Sequence, residues 1–225
     1  MLGGEGLSDS TKAALLNANY MAHRLKGHYN LRYKNKNGRV AHELLIDLHE
    51  FDKAAGLKVT DFAKRLQDYG FHPPTCSWPI STCMLIEPTE SETLEEIDRF
   101  CDAMIQIRKE AEDVITGKQP KDNNLLKNAP HPISVLTVEN WDKPYTREAA
   151  AYPVPGLRER KFWPTVSRID DAYGDLHLIV SSVLCSLALC VLTTLHSATA
   201  RRSKKPHLHR RLTRIDDFSL GFYGR

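Results

Sequence analysis

The chain has 225 residues, 41% hydrophobic and 26% charged, the balance of an ordinary globular protein, which excludes collagen-like, mucin-like and fully disordered classes. Its 31 basic and 28 acidic residues leave a net charge of +3, too even to predict a nucleic-acid or acidic-membrane partner. Five cysteines at irregular spacing argue against a disulfide scaffold and for a reducing compartment.

The first ten residues lack the basic and apolar segments of an export signal. Ser8 or Asp9 is placed to cap a helix running to about Tyr29, with Ala14, Leu15, Ala18, Met21, Ala22 and Leu25 on one apolar face. Asn35 to Gly38 is a turn signal. Val40 to Leu48 is apolar and β-prone and predicts a strand. Asp61 to Tyr69 predicts a short helix ended by Gly70. Phe71 to Pro79 holds too many prolines for a central strand, and Thr82 to Ile86 predicts the next one. Thr89 with Glu92 reads as a capping box opening a long helix to about Ile115, with Leu94, Ile97, Cys101, Met104 and Ile107 on its buried face. Gly117 and Pro120 end it. Residues 118–132 read as a polar loop, and 139–165 as proline-cut loops with one helical turn near Arg147 to Ala150. This order predicts an α/β domain of α+β-like character, a small sheet covered on one face by helices.

The composition changes near Asp175. Leu178 to Leu195 carries no charge, a basic run follows, and only Asp216 and Asp217 are acidic beyond the seam. The expected division is a domain over 1–175 and an unrelated apolar-then-basic tail over 176–225. The uncharged stretch is at the lower edge of the roughly 17–25 residues that span a bilayer, and its serines and threonines weaken it. Membrane anchoring is therefore not expected, and a tail-anchored protein is kept as an alternative.

The chain shows no dinucleotide fingerprint, P-loop, zincin or nucleophile-elbow motif. Gly3-Gly4-Glu5-Gly6 reads as a flexible lead-in or an anion site before a helix. Cys76 and Cys83 have no matching pair for zinc. Two clusters stand out. Thr75-Cys76-Ser77-Trp78-Pro79 gathers hydroxyls, a thiol and an indole in a rigid loop. Lys161-Phe162-Trp163-Pro164 and Arg168-Ile169-Asp170-Asp171-Ala172-Tyr173-Gly174-Asp175 set aromatics beside carboxylates and an arginine. Arg168 is able to clamp a carboxylate of a substrate or partner, and equally the loop is able to hold itself together by its own ion pairs.

Seven collinear blocks resemble one family. They are Ala14 to Ala22, Lys64 to His72, Ser77-Trp78-Pro79, Ile86 to Glu92, Glu96 to Ile105, Lys143 to Glu148 and Phe162 to Asp175. Together they resemble the C-terminal region of the P-proteins of the glycine cleavage system, the decarboxylating glycine dehydrogenases, over roughly residues 3–175. The resemblance implies the C-terminal domain of a fold-type I pyridoxal phosphate transferase. It also implies an enzyme that decarboxylates glycine and passes the aminomethyl group to the lipoyl arm of H-protein, with a second P-protein as dimer partner and a mitochondrial setting, although no presequence is read here. The family's Schiff-base lysine lies upstream of the matched region, so no catalytic lysine is assigned and the chain alone is expected to be inactive. Ser77, Trp78, Arg168, Asp170, Asp171 and Tyr173 are carried over as substrate or partner contacts. A non-catalytic module that binds P-protein or H-protein is the other alternative.

Overall fold

The computed structural model describes residues 2–178; the 178–195 stretch, all but its first residue, and the basic run after it lie outside the described residues. Two units are present, Met1–Asp170 and a second from Asp171. In the second, the described part is a short helix, Asp171–Leu176, and the two residues after it, with the Tyr173 ring stacked on His177 at 4.0 Å.

The first unit opens with α1, Gly3–Arg24. It starts five residues before the expected cap and has no side-chain cap. It ends before Tyr29, which turns inward to donate its hydroxyl to the Met104 carbonyl at 2.7 Å. A short strand β1, Asn30–Arg32, leads to a turn in which Asn35 Oδ1 accepts from the Asn37 and Arg39 amides and Gly38 takes φ +74. The strand expected over 40–48 is confined to β2, Leu44–Asp47, because helix α2, His49–Ala55, follows at once. Gly56, at φ +69, supplies the left-handed cap that ends α2. Helix α3 covers Val59–Asp68, and Gly70 follows it at φ +81.

The proline-rich stretch contributes only the two-residue strand β3, Thr75–Cys76, and β4 is Cys83–Ile86. The sheet is antiparallel in the order β1-β2-β4-β3, so the proline-flanked strand sits at an edge, where missing amide donors cost least. Register pairs Leu44 with Ile86 and Ile46 with Met84. These four side chains enter one core with Phe51, Phe62, Leu66, Met104 and Ile107 from the helices, which covers one face of the sheet as the order of elements predicts.

Helix α4, Leu94–Ile115, is capped by Thr93, whose hydroxyl accepts from the Glu96 amide. The expected box at Thr89 is displaced by four residues: Thr89 sits at φ +56 and its hydroxyl instead accepts from the Ser91 amide. Leu94, expected to be buried, is 61% exposed because the helix has just begun there. Residues 118–132 are not merely polar loop. Asn124 caps α5, Leu125–Asn128, and Leu125, Leu126, Ala129 and His131 are buried. Helix α6 is Ile133–Leu136, and α7, Arg147–Ala151, matches the expected turn. Among the described residues no helix is long and apolar enough to cross a membrane.

Candidate functional site

The residues singled out from the sequence are served by different elements. Ser77 follows β3 at φ +61 and donates its amide to the Cys83 carbonyl at 2.9 Å. Trp78 beside it is 61% exposed. Arg168 lies elsewhere, against α3 and α5. Its Nη1 meets Asp61 Oδ1 at 2.5 Å, Nε donates to the Ala129 carbonyl at 3.0 Å and Nη2 to the Leu126 carbonyl at 2.8 Å. The carboxylate it clamps is thus one of the domain's own. Asp61 is buried and also accepts from Lys127 Nζ and from the Lys58 amide, both at 2.7 Å. That carboxylate belongs to α3, not to the arginine's own loop. Asp170 is exposed at the end of the first unit, and Asp171 and Tyr173 lie on the short helix of the second.

The densest chemistry is a buried network absent from those expectations. Arg65 is 0% exposed, and all five of its N–H donors are used. Nε and Nη2 grip both oxygens of Glu110 at 2.8 Å. Nη1 reaches Asp68 Oδ2 at 2.9 Å and the Ala150 carbonyl at 3.0 Å, and Nη2 reaches the Ala149 carbonyl at 2.8 Å. Asp68 accepts from the His131 amide at 2.6 Å and meets His131 Nδ1 at 2.7 Å. An ionised carboxylate only accepts, so Nδ1 carries a proton, and in the neutral ring Nε2 accepts from the Tyr145 hydroxyl at 2.9 Å. Tyr69 donates to Glu110 at 2.9 Å.

Burial opposes ionisation of Asp68, but the His131 hydrogen bond and the Arg65 charge outweigh it and hold the carboxyl below its usual range. Burial also pushes against the Arg65 charge, yet Glu110 and Asp68 raise it well above its ordinary value. Burial lifts the Tyr145 phenol to about 12. At the margin, Lys161 donates to the Asp68 main-chain carbonyl and lies 5.1 Å from the centre of the Trp163 ring. Burial brings its ammonium down to about 8, with Asp68 opposing and Arg65 assisting.

This network joins α3, α4, the 129–132 segment and α7. Its central groups, Arg65, Asp68 and His131, are fully buried. Beside it runs an open groove of about 890 Å³ between the first turns of α4 and residues 154–162. Phe71, Leu157 and Phe162 form its apolar walls. Arg99 stacks 3.7 Å over the Phe71 ring and is fixed by Glu96 and by the Tyr69 carbonyl at 3.0 Å.

The sequence did carry a signal for the network. Arg65 falls in the apolar stripe Phe62-Leu66-Tyr69 of α3, and Glu110 in the stripe Ile107-Ala111-Val114 of α4. Opposite charges embedded in two apolar stripes point to a buried pair.

The family described as glycine dehydrogenase, C-terminal domain, matches residues 10–131, more than half of the chain. A Schizosaccharomyces pombe protein that carries the name of a mitochondrial glycine dehydrogenase (decarboxylating) is 62% identical over 178 residues, 79% of this chain and 17% of its own length. The glycine dehydrogenase (decarboxylating) of Thermosynechococcus vestitus is 54% identical over 189 residues, 84% of this chain and 20% of its own. The human mitochondrial protein of that name is 52% identical over 180 residues, 80% and 18%. The chain therefore spans about a fifth of the length of the curated relatives it matches.

Proposed function

Because the chain belongs to the family of glycine dehydrogenase C-terminal domains, we propose that it performs the part of that domain in glycine decarboxylation. The observation that carries this reading is the 62% identity over 178 residues to a protein named for the reaction. On this reading the complete enzyme uses pyridoxal phosphate, which supplies the electron sink for decarboxylation. It hands the aminomethyl group to the lipoyl arm of H-protein and works as a P-protein dimer, in the mitochondria of eukaryotes as several relatives are named.

The described residues do not by themselves make a pyridoxal phosphate site. Arg65, Arg168 and Lys161 are each bonded to groups of the domain itself, so no step of the reaction is assigned to them. What this region contributes is shape. Arg65 and His131 hold the 129–151 segment on α3 and α4, and Arg168 holds the 165–169 segment through Asp61. The contacts with substrate or partner are proposed for Ser77 and Trp78 on the exposed turn and for Asp170, Asp171 and Tyr173, with Arg168 as a positioning residue.

The test is a graft in which residues 3–178 replace the matched region of the Thermosynechococcus vestitus relative. With pyridoxal phosphate and lipoylated H-protein, the graft is expected to release labelled carbon dioxide from glycine within about tenfold of the parent, while this chain alone releases none. A folded graft without activity overturns the reading.

A further inference from the structure

Charge is even over the whole chain but not along it. Between Asp9 and Glu43 there are seven lysines and arginines and no acidic residue. Lys12, Arg24 and Arg32 of this set find carboxylates. Lys34, Lys36 and Arg39 have no ion pair among the described residues and stand exposed on the turn that follows β1. That turn is stiffly built. Asn35 accepts the Asn37 and Arg39 amides at Oδ1, both at 2.9 Å, and the Gly38 amide at its carbonyl, at 2.8 Å. The Asn19 side chain on α1 clasps Val40 at the turn's exit, taking its amide at 3.1 Å and giving to its carbonyl at 2.9 Å. Tyr33 opens the turn at φ +52, a backbone that a bulky residue adopts only under strain, and its ring is 74% exposed. Among the described residues its hydroxyl makes no hydrogen bond and its ring meets no other ring or cation. Packing within the domain therefore gives no reason for a strained tyrosine here, and strain of that kind gathers where a protein binds something.

We propose that the Tyr33–Arg39 turn is the docking surface for an acidic protein partner, with Lys34, Lys36 and Arg39 drawing its carboxylates and the Tyr33 ring seated against it. The proposal rests on the functional reading above for its choice of partner, the H-protein that must arrive with its arm and leave again. Charge complementarity selects a protein surface: unpaired cations on a turn already ordered raise the rate of encounter and lose little freedom on binding. The amides of Asn37, Gly38, Arg39 and Val40 are all committed inside the domain, so a phosphate of a nucleic acid or a lipid is offered no backbone cradle. Three cations also fall short of the clusters of about four to eight that hold anionic lipid, and one exposed ring supplies little of the apolar area that a membrane-lying segment buries. A small, basic surface with a single aromatic fits a short-lived protein encounter.

Association of lipoylated H-protein with the graft described above, followed by stopped flow at low salt and at about 0.15 M salt, tests this without reading activity. Lys34→Gln, Lys36→Gln and Arg39→Gln together are expected to slow association at low salt at least about tenfold and to flatten its salt dependence. Removing the same charge at exposed positions elsewhere, by Lys12→Gln, Lys53→Gln and Lys109→Gln, is expected to leave the rate within about twofold. Tyr33→Gly, which suits the left-handed backbone, is expected to keep the urea midpoint and to raise the dissociation rate at least about threefold. Equal slowing by the two triple variants, slowing by neither, or a Tyr33→Gly graft that dissociates like the parent overturns the proposal. So does turn-dependent binding of phosphatidylserine vesicles or of duplex DNA with H-protein association unchanged, which gives the surface to a lipid or a nucleic acid. An inactive graft with turn-dependent association would sink the functional reading and leave this one standing; an active graft whose association ignores the turn would do the reverse.

Discussion

Arg65 has no slack: five donors, five acceptors and no solvent. Removing one partner of such a set leaves an uncompensated buried charge, which costs about 3–5 kcal/mol. Glu110→Gln keeps the volume and removes the charge. It is expected to lower unfolding stability by an amount in that range, seen as a lower urea midpoint at unchanged slope. The exposed pair Lys12–Asp9 serves as the control, since Lys12→Ala is expected to move the midpoint little. The same residues set the pH profile. Asp47, Asp68 and Glu96 are held below their ordinary values, so their contribution is present above about pH 4 and fades as acid protonates them in the folded state. Lys161 works at the other end. Between about pH 8 and 10 the unfolded chain retains a Lys161 proton that the folded chain has released, so this group's contribution rises with pH across that window. The thiols of Cys76, Cys83 and Cys101, pushed up by burial, act the other way from about pH 9, and buried Tyr29 and Tyr69, whose phenols resist ionisation, join them above about pH 10. Urea midpoints between about pH 8 and 10 are expected to fall more steeply in Lys161→Met than in the parent.

Among the elements, α4 shows what a capping pattern does and does not fix. Two T-x-x-E sequences, Thr89 to Glu92 and Thr93 to Glu96, lie back to back, and pattern alone does not choose between them. The choice falls to Pro88 and the positive φ of Thr89, which keep the first box out of helix, while Thr93 at ψ 157 has the extended geometry of a cap. Thr93→Ala is expected to cost about 1 kcal/mol and Thr89→Ala less than half of that, both read from thermal unfolding. Long periodic segments were legible: α1, α3 and α4 and the β4 strand all follow from the spacing of apolar residues. The short pieces were not. Strand β1 has three residues and α2 seven, too few for either period to declare itself. Helix α2 follows β2 with only Leu48 between them, and the junction is marked by no glycine or proline. The proline-rich stretch that holds Trp78 was legible as irregular, from its prolines. The commitment of Arg168 to Asp61 was not, because the two are 107 residues apart and nothing local links them.

For the molecule as a whole, the final stretch of the first unit is held by few groups. Residues 165–169 include exposed Val166 and Ile169, and Arg168 ties them to α3 and α5 by three bonds. Arg168→Ala is expected to leave the core unfolding transition within about 1 kcal/mol while making the chain several-fold more sensitive to cleavage between residues 160 and 170 under limited proteolysis. Unchanged cleavage would mean that apolar packing, not the arginine, holds that stretch. Division of labour follows from the architecture. The helix-covered face of the sheet carries the buried core, while Trp78 on its turn and Leu7 near the start of α1 stand exposed.

The reach of Arg65 also bears on the order in which the polypeptide matures. Its acceptors come from residues 68, 110, 149 and 150, and the histidine that satisfies Asp68 from residue 131. A ribosome that has delivered α3 and α4 has delivered a guanidinium and two carboxylates whose remaining partners do not yet exist, and closing the core on them would strand charge away from water. Premature collapse is thereby penalised until Ala150 has been made. Closing α7 over the guanidinium supplies the last two of its acceptors, the carbonyls of Ala149 and Ala150.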